Sequence, residues 1–156
     1  MVIGPLKLLK LPARLIYKAG TKNVKYNMFS TKTCEFLGYM KAETVTLMTK
    51  DFYPVDKPTK SLYINKLEAF KKREGVGTDF INFAKHLSKE SGAEGRIHLI
   101  AYNADSIANP PQKFYRKLGF TSKKPEDNIA IDEAIKNDTP LPLRLTFGSI
   151  MYLEKF

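Results

Sequence analysis

A chain of 156 residues, 43% hydrophobic and 12% aromatic, can bury one sizeable core and is too short for two ordinary domains, so residues 1–156 are expected to form a single domain. Its one cysteine, Cys34, excludes an internal disulfide and any multi-cysteine metal site. The net charge of +10 is lopsided, with 15 Lys/Arg against 6 Asp/Glu in residues 1–75 and 11 against 10 in residues 76–156; such a field attracts polyanions (nucleic acid, an acidic membrane surface, a multiply phosphorylated small molecule) or is an ordinary solvated lysine-rich surface.

The N-terminal run MVIGPLKLLKLPARLIYK is apolar but broken by Lys7, Lys10 and Pro12, and no segment reaches the ~20 apolar residues of a membrane span. A soluble, cytoplasmic protein with no membrane partner is expected. ARLIYKA, VKYNMFS and CEFLGYMKAETVTLM alternate aromatic and β-branched residues and are separated by GTKN and TKT, which predicts an antiparallel meander. Cys34 in this stretch is expected to be a small buried or half-buried thiol. After the two-proline loop DFYPVDKPTK comes a strand, SLYINKLEAF.

KKREGVG then breaks the chain before TDFINFAKHLSKESG, where Phe80, Ile81, Ala84 and Leu87 share one helical face, Asp79 sits in the first turn and Gly92 stops the run. RIHLIAY predicts a central strand. NPPQKFYRKLGF predicts a second helix, with Asn109 as cap, Pro110 in the first turn, Gln112 closing a capping box, Phe114 and Leu118 paired on the buried stripe and Gly119 ending it. SIMYLEKF is a last strand. The order predicts an α/β (α+β) domain with a mixed sheet.

A glycine turn between a strand and a helix N-terminus suits an anion: the first N–H groups of the helix lack intrahelical partners and the dipole adds about half a positive charge. Gly75 and Gly77 leave out obstructing side chains, and Lys72 and Arg73 add charge; the alternative is a plain turn with glycine at strained dihedrals. Neither a P-loop nor a dinucleotide fingerprint is present, since no Lys-Ser/Thr follows and Phe80 stands where a third glycine belongs.

KLEAFKKREGVGTDFINFAKHLSKESG, RIHLIAYN and NPPQKFYRKLGF, in that order, resemble the GNAT superfamily of acetyl-CoA-dependent N-acetyltransferases over about residues 60–120. In that family a Gln/Arg-x-x-Gly-x-Gly/Ala turn holds the coenzyme A pyrophosphate, matched here by Lys72, Arg73, Glu74, Gly75, Val76 and Gly77 and leading into Thr78; a later helix ends in Tyr-x-x-x-Gly-Phe, matched by Tyr115, Gly119 and Phe120. Lys72 departs from the family's Gln or Arg. The resemblance implies a mostly antiparallel sheet with two parallel central strands splayed apart and flanking helices, and acetyl-CoA as co-substrate with no metal. It implies that the backbone near Leu67 to Ala69 faces pantetheine, that Asn109 belongs to the coenzyme site, and that Tyr115 protonates the leaving thiolate. The family's two helices between its first strands are missing, since only GTKN stands there. The stretch from Ser122 to Phe147, with the helix-like NIAIDEAIKND, is the candidate replacement for that wall.

Acetyl transfer needs a neutral amine, a polarised carbonyl and a proton for the thiolate. Glu68 is the candidate base, or else a partner of nearby lysines. His98 could titrate near neutrality but reads more simply as a hydrogen-bonded core residue, and His86 as a surface one. Tyr115 has a packing alternative beside Phe114 and Leu118. The expected partner is an amine-bearing small molecule or protein, with oligomeric state, a homodimer included, left open. Two other classes compete: a catalytically silent coenzyme A-binding domain, and, behind it, a nucleic-acid module using the basic first half with Tyr17, Tyr26 and Phe29.

Overall fold

The computed structural model describes residues 14–20, 24–48, 55–70, 75–102 and 110–153. In chain order these form β1 (Arg14–Ala19), β2 (Lys25–Ser30), β3 (Phe36–Leu47), β4 (Thr59–Ala69), α1 (Val76–Glu90), β5 (Ile97–Ala101), α2 (Pro111–Lys117), β6 (Thr121–Ser122), α3 (Pro125–Asn137), a 3-10 turn (Leu143–Leu145) and β7 (Ser149–Leu153). One seven-stranded sheet runs β1-β2-β3-β4-β5-β7-β6. Alternation of apolar residues makes β1 to β3 a meander of antiparallel neighbours, as the sequence predicts, and β4 continues it antiparallel to β3. β4 and β5 are parallel, joined by the crossover helix α1.

The parallel pairing is short. It runs from Leu62↔Ile97 to Ile64↔Leu99 and stops, although β4 continues to Ala69 and β5 to Ala101. The cause lies on the other side of β4, where Lys41 pairs with Lys66 but Ala42 pairs with Ile64, so Asn65 is an extra residue, a β-bulge. A bulge bends its strand, and the bend takes β4 away from β5 at their C-terminal ends.

Tyr26, Met28, Met40, Leu62, Ile64, Leu99 and Met151 belong to the core cluster with Phe80, Phe83 and Leu87 of α1. Tyr26 meets Phe83 edge-on at 5.2 Å. β1 and β2 pair as far as Ala19↔Lys25, so only Gly20–Val24 connects them and no helix fits between. α3 stacks on α2, where Arg116 grips Asp132 through Nε at 2.8 Å and Nη2 at 3.1 Å, and Asn128 ties it to Ser122 of β6.

Two smaller expectations change. Cys34 is exposed, in the β2–β3 turn with φ +58°. Gln112 closes no capping box: it is 2% exposed and donates to the Leu145 carbonyl at 2.7 Å and to Ser149 Oγ at 3.4 Å, linking α2 to the segment before β7, while Pro110 is the N-cap.

Candidate functional site

Backbone direction along β4 defines an unpaired edge. Ahead of the bulge, the Leu62 N–H donates to Arg96 O on the β5 side at 3.1 Å; beyond it, the Phe70 N–H donates to Leu37 O on the β3 side at 3.0 Å. Successive N–H groups of a strand point to opposite edges, so Glu68 turns with Phe70 toward β3 while Leu67 and Ala69 turn theirs toward the opening between β4 and β5. Without Asn65 that phase would be reversed. Their side chains pack against the core, and Glu68 projects from the opposite face.

α1 begins just past this edge. Gly75 caps it at φ +78°, in the left-handed region that suits glycine, and its carbonyl accepts the first intrahelical bond from Asp79 N at 2.9 Å. The N–H groups of Val76, Gly77 and Thr78 therefore precede the helical ladder. A Cβ on Gly75 would meet nothing within 4 Å among the described residues, which leaves the space over this turn open to a ligand. Gly77 behaves differently. A Cβ there would lie 2.9 Å from Phe114 Cζ, so its missing side chain makes room for a ring of α2. Lys72, Arg73 and Asn109 lie outside the described residues.

Phe114 on Gly77 sets the rotation of α2 and reverses one expectation. Tyr115, not the Phe114 and Leu118 stripe, is the buried aromatic of this helix, 8% exposed and flanked by the Phe114 and Phe120 rings at 5.1 and 5.4 Å. α2 packs against α3 and β5, with Phe114 filling the space left by Gly77 of α1. Burial pushes its phenol up to about 12. Its hydroxyl has no hydrogen-bond partner among the described residues, and no fully buried side-chain oxygen lacks one, so the hydroxyl holds part of the surface that remains exposed.

Glu68 accepts from Tyr39 Oη at 3.0 Å and lies 3.8 Å from Lys66 Nζ, with its side chain 47% exposed. His98 is a core histidine, as the plainer sequence reading has it: 2% exposed, Nδ1 2.7 Å from Ser61 Oγ, and pushed by burial down to about 4. His86 is a surface residue, 2.9 Å from Glu90 Oε1. Among the described residues no group of three or more His, Cys, Asp or Glu could hold a metal, and no helix is long and apolar enough to cross a membrane. A groove lined by Ser122, Lys123, Lys124, Asp127, Arg144 and Ser149 adjoins the end of β5, where Gly148 abuts Ile100 and Tyr102.

Asn65 and Phe114 escape a reading by motif. The bulge nonetheless leaves a trace in the sequence, since apolar positions on β4 fall at 62, 64, 67 and 69, a spacing of three inside a period of two.

No family model and no curated protein matches this chain. Solved structures do. Arabidopsis thaliana NAA60 in complex with acetyl-CoA superposes with a TM-score of 0.54 at 15% identity, over 86% of this chain and 77% of that one. The Bacillus subtilis N-acetyltransferase YlbP in complex with coenzyme A gives 0.51 at 15% identity over 84% and 67%, and a bacterial toxin gives 0.55 at 15% over 85% and 68%. The likeness establishes the fold anticipated from the sequence, a GNAT-type mixed sheet with one parallel pair.

Proposed function

We propose that this GNAT-fold chain is an N-acetyltransferase that moves the acetyl group of acetyl-CoA to a primary amine by direct attack in a ternary complex. The observation that carries the reading is the pair of N–H groups, Leu67 and Ala69, turned by the Asn65 bulge into the opening between β4 and β5 beside the first turn of α1. A pantetheine arm completes the strand edge there, and one of these donors polarises the thioester carbonyl. The pyrophosphate sits on the N–H groups of Val76, Gly77 and Thr78, over the open space at Gly75, with Lys72, Arg73 and Asn109 assigned to the coenzyme by resemblance. The acetyl-CoA-bound NAA60 and coenzyme A-bound YlbP structures support the choice of co-substrate.

The amine nitrogen attacks the thioester carbon, a C–N bond forms, the C–S bond breaks, and the amine proton passes to Glu68 directly or through water. Tyr115 is assigned to the departing sulfur by resemblance, acting through the part of its hydroxyl that remains exposed. A phenol near 12 holds its proton more tightly than a thiol of ~8.5, so Tyr115 stabilises the thiolate chiefly as a hydrogen-bond donor while solvent completes the transfer.

The test is acetyl-CoA turnover against amines, amino acids, aminoglycosides, polyamines and peptide N-termini, with coenzyme A protection against thermal unfolding measured in parallel. Turnover on one class together with protection is the expected result. Protection without turnover on any acceptor would make the chain a silent coenzyme A-binding domain, and absence of both would overturn the assignment.

A further inference from the structure

The outer face of β2, β3 and β4 brings together charges that are scattered in the chain. The register pairs Lys25 with Lys41 and Lys41 with Lys66, so three ammonium groups stand side by side across three strands. Like charges directly opposite destabilise a sheet, and the row of three lysines has two carboxylates on its face among the described residues: Glu68, 3.8 Å from Lys66, and Glu43, two residues along β3 from Lys41. Lys25 and Lys66 instead lean over the Tyr39 ring, their Nζ atoms 4.1 and 5.7 Å from its centroid.

An aromatic surface runs beside this row. Phe29 touches Phe36 at 5.1 Å and Phe36 touches Phe70 at 5.1 Å, with Tyr17 stacked on Phe29 at 5.4 Å and Tyr39 6.3 Å from Phe70. Phe36 is 37% and Phe70 50% exposed, whereas Tyr26 turns to the core. An excess of cations on neighbouring strands suits a ligand with regularly spaced negative charges; exposed rings next to them suit flat groups on that same ligand. Single-stranded nucleic acid carries both on one chain, phosphates at regular intervals and flat bases beside them.

We propose that this face binds single-stranded nucleic acid, with phosphates along Lys25, Lys41 and Lys66 and bases against Phe36 and Phe70. Sequence composition sets nucleic acid behind an amine acceptor, and it is the strand register, invisible in composition, that reverses the order for this face. The face lies apart from the α1 turn, although it also carries Glu68, the proposed base, and the inference goes beyond acetyl transfer.

A fluorescein-labelled single-stranded RNA of about twelve nucleotides, titrated by anisotropy at stepped salt, tests it. The parent should bind, with log K falling linearly in log salt. Lys25→Gln/Lys41→Gln/Lys66→Gln should flatten that slope by about 2, at about 0.7 per phosphate, and the corresponding triple Arg variant should restore it. Phe36→Ala/Phe70→Ala should weaken binding roughly tenfold or more with the slope unchanged. Failure of the parent to bind at low salt, an unchanged slope in the Gln variant, or parent-like affinity in the Phe variant would overturn the proposal. Coenzyme A protection, measured on the same variants, reports separately on the acetyltransferase reading.

Discussion

Tyr115 carries the sharpest residue-level consequence. Removing only its hydroxyl leaves the ring between Phe114 and Phe120, so Tyr115→Phe should fold normally, bind acetyl-CoA as the parent does, and lose about 10²-fold in kcat on the best acceptor. Parent-like turnover in steady-state assays would reduce the residue to packing. His98 makes a different prediction. Its folded-state value of about 4 lies below the 6.5 of an unfolded chain, so between those limits the unfolded state binds the extra proton, and stability is complete above pH 6.5 and declines as pH falls toward 4. The full difference is on the order of 3 kcal/mol. Chemical denaturation at pH 7 and pH 5 should therefore show a marked loss in the parent and a smaller one in His98→Gln, with equal losses in both proteins counting against the assignment.

At the scale of elements, the bulge in β4 divides the strand into two phases, and hydrogen exchange can read them separately. The Phe70 amide is bonded to β3, as Glu68's orientation requires for its own, and both should exchange slowly in the free protein; those of Leu67 and Ala69 should exchange fast and become protected when coenzyme A is added. Uniform protection along 66–70 before any ligand would mean that the edge is already closed. The approach of β3 to the same strand is unusually close: a Cβ on Gly38 would lie 2.2 Å from the Glu68 carbonyl oxygen, a backbone atom with no rotamer by which to yield. Gly38→Ala is expected to cost about 3 kcal/mol in urea unfolding, far more than an ordinary strand substitution.

For the whole molecule, what was legible followed the physics of each signal. The meander, α1 and α2 announced themselves through periodicity and punctuation, and the glycine turn with Tyr115, Gly119 and Phe120 pointed to the fold. Missing from view was whatever depends on contacts between elements. Asn65 is defined by pairing across β3, the rotation of α2 by Phe114 lodging on Gly77, the place of α3 by its grip on Arg116, and the two-residue β6 is too short for any pattern. The sheet order adds a consequence for the time course of folding. β1 to β4 pair with their neighbours along the chain and close quickly, whereas β7 must enter between β5 and β6, its partners far back in the sequence, after α3 has formed behind it. Until Ser149–Leu153 arrives, the apolar strand Ile97–Ala101 keeps a naked edge, a template for another chain's strand. A variant ending at residue 148 should accordingly accumulate as aggregates on size-exclusion chromatography, and in the intact chain the slowest folding phase should be the insertion of that strand, the step at which a nascent molecule is most exposed to its neighbours.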